Sequence, residues 1–288
     1  MFWPDHLLMD DDRLASAVEV AHVWRPGVRV RSVLRHVQGR RVTALAECDD
    51  RPVVVKLFSS PRARGNHRRL DALAAAGVGD LVPRSLGHDP TGHVGMIEYR
   101  HGSVFDQLPD DEFLAAAELA GAALRRLHDC GAELDRHWTV DDEIDALCRR
   151  ATDHTRPFVD TMLDGMSMNH PGPLVPSHRD CHPRQLVAAG RQVHWIDLDD
   201  CTMAPAGLDV GNMAAHLSRE GIIGRRPVDV AEGARDRFIA GYGWTGPRAD
   251  LDTWELLSLA RLAGLAETRH GAPDERDALL DHAATVPA

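Results

Sequence analysis

At 288 residues, with 43% hydrophobic and 27% charged content, the chain has the composition of an ordinary globular protein and the length for two lobes or one large domain. Its formal net charge of −11 argues against a nucleic-acid partner held on a basic face and is compatible with a cationic small molecule. No run approaches the roughly 20 apolar residues of a membrane span, so no membrane partner is expected.

The acidic opening stretch MFWPDHLLMDDDR lacks the basic-then-apolar order of a secretory signal. A short helix is expected to end near His22. Three β-like runs follow, Val28 to Leu34, Arg41 to Cys48 and Pro52 to Phe58, with turns at Gln38-Gly39 and Asp49-Asp50 between them. This is the pattern of an antiparallel meander. The third run, PVVVKLF, reads as a buried strand, and its Lys56 is the only lysine of the chain. A charge inside such a strand needs a partner. An ammonium is a compact point charge that lodges against phosphate oxygens where the wide guanidinium fork does not. The plainer reading is chance survival of one lysine in an arginine-rich composition.

RARGNHRRLDALAAAG then places Leu70, Leu73 and Ala74 at helical spacing and Gly77 as its C-cap. HVGMIEY adds a strand that ends at Tyr99. From Asp110 the chain turns helical: DDEFLAAAELAGAALRRLHDCG opens on acids, carries Phe113, Leu114, Leu119, Leu124 and Leu127, and stops at Gly131. Residues 211–243 and 252–270 read as further helices.

Between the helical blocks lies SHRDCHPRQLVAAGRQVHWIDLDDCTMAPAGLDVGNM. A Pro-containing loop holds His178, Asp180, His182 and Gln185; a turn at Ala189-Gly190 follows, then Val193 to Ile196 leading into Asp197. A loop, a short hairpin and an aspartate at its exit gather two carboxylates and an amide. Phosphoryl transfer asks for such a set, because its loose transition state needs positioning and charge neutralisation. One aspartate accepts the proton of the attacking hydroxyl; a second aspartate and an amide oxygen hold magnesium. Asp180, Asp197 and Gln185 fit in that order.

With the strand Lys56, IEYRHG, Leu124 to His128 as LxxLH, HRDCHPRQ, WIDLDD and GLDVGN, the chain resembles the aminoglycoside phosphotransferase and choline-kinase-like family, the small-molecule branch of the protein-kinase fold, over roughly residues 25–245. The resemblance implies an α+β, bilobal fold, with an antiparallel N-terminal nucleotide-binding lobe over 1–99 and a mainly helical catalytic and substrate-binding lobe over 100–288. It makes Asp180 the catalytic base, sets Lys56 on the nucleotide phosphates, and places Asp197 and Gln185 on Mg²⁺. The backbone from Glu98 to Arg100 would hold the adenine of ATP, or the base of GTP, while His178 and Asp209 support the loop. Three departures stand out. Gln185 replaces the usual Asn, the helix glutamate that pairs with the strand lysine falls near Asn66, and RHVQGRR has one glycine where a Gly-rich loop is usual. Lys56 is then left to pair with Asp71, with Asp197 or with no acid at all.

Other groups admit plainer readings. His128 caps and packs a helix end, and Asp110, Asp111, Glu112, Asp141, Asp142, Glu143 and Asp145 serve helix N-termini as well as they would line a cationic pocket. Asp199 and Asp200 are either a further metal contact or exposed turn acids. The five cysteines, odd in number and without a CxxC pair, fit small core residues in a reducing cytoplasm, with Cys181 the one placed to be exposed. A zinc hydrolase built on His178, Asp180, Cys181 and His182 would leave Lys56 and Asp197 unexplained. A non-catalytic nucleotide-binding pseudokinase would explain Gln185 and the missing helix acid. The expected function is transfer of the ATP γ-phosphoryl group to a hydroxyl of an aminoglycoside-like, sugar, cyclitol or nucleoside acceptor; oligomeric state is left open.

Overall fold

A computed structural model of the chain describes residues 20–21, 23–25, 27–166 and 172–286. They fall into two compact units, 1–101 and 102–288. The first holds a five-stranded antiparallel sheet, β1 Arg29–Val37, β2 Arg41–Cys48, β3 Arg51–Phe58, β4 Ser85–His88 and β5 Val94–Glu98, in the order β1-β2-β3-β5-β4. The expected meander is present. Asp49 and Asp50 both take positive φ (50° and 59°), the backbone that a two-residue hairpin between right-twisted strands requires. β2 alternates, burying Val42, Ala44 and Ala46, which meet Val53, Val55, Leu57, Val94 and Met96 in one apolar layer. β4 was not foreseen. Val20, Ala21, Val23 and Trp24 are helical, so the first helix runs past the expected end at His22, which itself lies outside the described residues.

Helix α1, Ala63–Leu73, buries Leu70 and Leu73 and continues as a wider turn over Ala74–Val78, in which Gly77 has φ +87°. Its buried face also carries Asn66, His67 and Arg69.

The second unit is built on helices. α2, Asp110–Asp129, buries Phe113, Ala117, Ala120, Leu124 and Leu127 at helical spacing, with acids in its first turn and His128 in its last. α3 Val140–Arg150 begins with a capping box between Thr139 and Asp142, and α4 Arg156–Gly165 follows. α5 Ala206–Ile222 is buried along almost its whole length. It starts five residues before the expected 211, so GLDVGN is helical. α6 Val228–Tyr242 is set off from it by Gly224 (φ +67°) and Pro227. α7 Arg248–His270 and α8 Pro273–Ala283 complete the unit. Trp254, Leu257 and Leu208 form one core with Leu147 and Val159; Leu256, Leu259, Leu262 and Leu279 form another. Two small antiparallel sheets are inset: β7 Leu174–Ser177 with β10 Thr202–Pro205, and β6 Ser103–Val104 with β8 Leu186–Ala189 and β9 Gln192–Trp195. Among the described residues no helix is long and apolar enough to cross a membrane.

Candidate active site

The loop between β7 and β8 is fixed from beneath by α5. Asp209 is fully buried, and its carboxylate accepts hydrogen bonds from the amides of His178 (2.6 Å) and Arg179 (2.7 Å). The remaining approach to Oδ2 is from His128 Nε2 (3.2 Å), whose Nδ1 meets the Tyr242 hydroxyl (2.9 Å). Three residues on from Asp209, one turn along the same helix face, Asn212 Nδ2 donates to the Cys181 carbonyl (2.8 Å). His178 is also buried, and its Nε2 donates to the Ile196 carbonyl (2.8 Å), which ties the loop to the exit of β9. Among the described residues no three His, Cys, Asp or Glu side chains are gathered to hold a metal ion, so the four-residue zinc cluster that sequence alone permits is not assembled.

Held this way, the loop and hairpin bring Asp180, Gln185 and Asp197 together. Gln185 Nε2 lies 3.3 Å from Asp180 Oδ2 and 3.4 Å from Asp197 Oδ2. Arg179 (φ 68°) and Asp197 (φ 57°, ψ 47°) both sit in the left-handed region, a conformation that costs a non-glycine residue of the order of 1 kcal/mol and persists only where surrounding bonds impose it. Partial burial favours the protonated form of Asp180. The His182 imidazole beside it, then the charges of His178 and Arg261, outweigh that and hold the carboxyl well below the usual carboxylate range. Asp180 is therefore ionised at neutral pH and can only accept. The Arg184 amide donates to His182 Nδ1 (3.2 Å), which leaves Nε2 as the protonated nitrogen, 3.7 Å from Asp180 Oδ2.

Cys181 is fully buried, contrary to the expected exposure, and burial pushes its thiol up. Asp199 is buried, and Asp200 lies within 3.7 Å of Arg136 and 3.9 Å of Arg179, so neither is a plain exposed turn acid. Asp110 pairs with Arg226 (2.5 Å) and Asp142 serves the α3 cap. Sequence reading did not single out Asn212, His216 or Arg261. Asn212 stood in GLDVGN at helical spacing from Asp209 and was legible there. His216 and Arg261 belong to helix faces with no local signature.

In the first unit, Lys56 is buried and stands in register with Thr43 of β2 and Gly95 of β5. Asp71, one of the two acids open to it by sequence, is on the exposed face of α1. Asn66 is buried, and its Oδ1 accepts from Arg69 Nη2 (2.6 Å). Glu98 Oε2 accepts from the Arg84 amide (3.1 Å) and lies 3.3 Å from Arg100, whose Nη2 donates to the carbonyls of Gly79 (2.7 Å) and Val82. The side chains of Glu98 and Arg100 thus serve the unit's own backbone.

No curated protein matches the chain by sequence. Solved structures share its fold at low identity. The aminoglycoside phosphotransferase APH(4)-Ia matches with TM-score 0.69 and 13% identity over 95% of this chain and 99% of that one. Amicoumacin kinase hAmiN, solved with AMP-PNP, Ca²⁺ and Ami, gives 0.67 and 11% over 97% and 96%. A type VIII aminoglycoside-3'-phosphotransferase gives 0.64 and 17% over 85% and 98%. The model of the phosphotransferase enzyme family APH matches residues 33–257, the span that contains Lys56, the loop clamped by Asp209, and the Asp180–Gln185–Asp197 group. The chain belongs to that phosphotransferase family.

Proposed function

We propose that the protein is a kinase that transfers the γ-phosphoryl group of ATP, with GTP as the alternative donor, to a hydroxyl of a small molecule. The observation that carries this reading is the meeting of Asp180, Gln185 and Asp197 within 3.4 Å on a loop whose strained backbone is clamped by a buried carboxylate. In the reaction, the acceptor oxygen forms a bond to the γ-phosphorus as the bond from that phosphorus to the bridging oxygen breaks. ADP leaves with the electron pair, and the hydroxyl proton passes to Asp180, which also orients the acceptor. The first unit binds nucleotide, with Lys56 on the phosphates and the backbone from Glu98 to Arg100 on the base. The second unit is the catalytic one.

Asp197 offers a hard oxygen donor, and Gln185, which faces it through Nε2, would offer Oε1 once its amide is turned; such a set would suit Mg²⁺, which takes few protein ligands and completes its shell with phosphate and water. Such an ion would neutralise charge on the transferring group. Gln185, one methylene longer than the usual Asn, ends the short helical turn Pro183–Gln185. The neighbour solved with AMP-PNP and Ca²⁺ supports a nucleotide with a divalent ion. The test is a screen of hydroxylated small molecules with ATP and Mg²⁺, read as ADP release and as acceptor mass gained by one phosphoryl group, beside Asp197→Ala, which should lose Mg²⁺-dependent nucleotide binding. ATP binding with no acceptor phosphorylated across a broad panel would favour the pseudokinase reading.

A further inference from the structure

The flank of Asp180 is cationic. Beside it His182 stacks on His216 of α5, with ring centroids 4.9 Å apart, and His216 is held neutral by burial and then by the charges of His182 and Arg261. Asn212, one turn before His216, bonds the Cys181 carbonyl through Nδ2 (2.8 Å) and accepts from Arg261 Nη2 of α7 through Oδ1. One side chain therefore separates the Arg261 guanidinium from the backbone of the residue that follows Asp180.

That guanidinium is under-used. Its Nε is buried without a hydrogen bond, 3.7 Å from Glu143 Oε1, and its Nη1 makes no hydrogen bond among the described residues. Glu143 is shared: Oε2 accepts from Trp138 Nε1 (2.9 Å), and Arg150 and Arg179 feel the same carboxylate. Arg179 stacks on Trp138 at 3.6 Å from the ring centre and shares Asp200 with Arg136. Arg136, Arg150, Arg179 and Arg261 thus gather around Glu143 and Asp200, with Asp142 near Arg179 and Asp180 near Arg261. Of the acids that could meet a cationic acceptor, Asp110 pairs with Arg226, Asp142 serves the α3 cap, and Asp145 lies 3.9 Å from Arg149 at the helix surface. A buried polar nitrogen without a partner is costly, and a guanidinium fork matches carboxylate or phosphate oxygens two at a time.

Resting on the proposed transfer reaction, we infer that the acceptor is an anionic alcohol, a molecule that carries a carboxylate or phosphate ester held by Arg261 while its hydroxyl meets Asp180. This departs from the cationic acceptor that the chain's net charge suggests, because the charge that matters is local.

The test uses the full chain and matched probes: gluconate, glucose 6-phosphate, glucose and kanamycin. Binding is read by calorimetry without nucleotide, and transfer by ADP release. At least one of the two anions should bind tenfold or more tightly than glucose and kanamycin, and which one does so separates carboxylate from phosphate. Arg261→Gln, which keeps a donor for Asn212, should erase that preference, and Arg261→Lys should keep part of it. Arg150→Gln, at an exposed residue that does not endanger the fold, should weaken it severalfold. Equal or tighter binding of glucose or kanamycin, no anion binding at all, or a preference that survives Arg261→Gln would overturn the inference. Anion binding without any transfer would leave this site standing and remove the kinase reading. Transfer to glucose or kanamycin in preference to the anions would do the reverse.

Discussion

Lys56 and His67 together define the electrostatics of the first unit. The ring of His67 is buried, its Nδ1 meets Ser85 Oγ (2.7 Å), and a Cβ on Gly95, the register partner of Lys56, would come within 2.6 Å of its Nε2. Burial, then the charges of His88 and Lys56, push its pKa down to about 4. A neutral imidazole thus stands close to the lysine, in the part of α1 where the sequence reading looked for an acid. An ordinary histidine takes up a proton near pH 6.5 in the unfolded chain while native His67 resists. Its contribution to stability is therefore complete above about pH 6.5 and is lost as pH falls through about 4, at up to about 1.4 kcal/mol per unit of separation. Urea denaturation between pH 7 and pH 4 should show that loss in wild type and a smaller one in His67→Gln, which keeps a polar contact to Ser85; parallel curves would remove the imidazole from the balance. Lys56→Arg preserves charge but replaces a point by a fork, so ATP turnover should fall by at least an order of magnitude, measured as ADP release at saturating acceptor. Wild-type turnover would return the lone lysine to chance.

At the scale of elements, GLDVGN shows both what sequence reveals and what it hides. Its Asp209 was expected as the brace of the loop, but the reason for its glycines lies in α7. A Cβ on Gly211 would come within 2.5 Å of Trp254 Cβ and 2.8 Å of the Glu255 amide, and one on Gly207 would enter the Trp254 ring. Two helices therefore meet backbone to backbone where Asp209 and Asn212 must reach the loop. Gly211→Ala should force them apart at a cost of about 1–3 kcal/mol, seen as a lower urea midpoint, and should reduce transfer because Asp209 moves with the helix. An unchanged midpoint would refute the close approach. The strands were legible because alternation and turn residues are local, as β2 shows residue for residue. β4 is only four residues long, too short for periodicity to register, and α4 and α8 offered no run of apolar positions strong enough to be singled out. The start of α3 was visible in its acids, Asp141, Asp142 and Glu143, which stand in the first turn; the capping box that Thr139 forms with Asp142 was not singled out.

For the whole molecule, the motifs legible in sequence are those in which a few consecutive residues do one job: HRDCHPRQ, WIDLDD and GLDVGN. The proposed acceptor flank is of the other kind, assembled from Glu143 of α3, His216 of α5 and Arg261 of α7, and a net charge of −11 pointed away from it. Asp180 joins the two, since it belongs to the legible loop and borders the illegible flank. Asp180→Asn keeps the size of the side chain and one hydrogen-bonding oxygen but removes the charge proposed to accept the hydroxyl proton. The most direct measurement of the central claim is therefore a paired one on that variant, with calorimetry for ATP and Mg²⁺ binding and single-turnover transfer to an acceptor that the wild type phosphorylates. The account predicts near-normal nucleotide binding with transfer reduced by a factor of about 100 or more. Transfer at the wild-type rate, with binding equally intact, would contradict it.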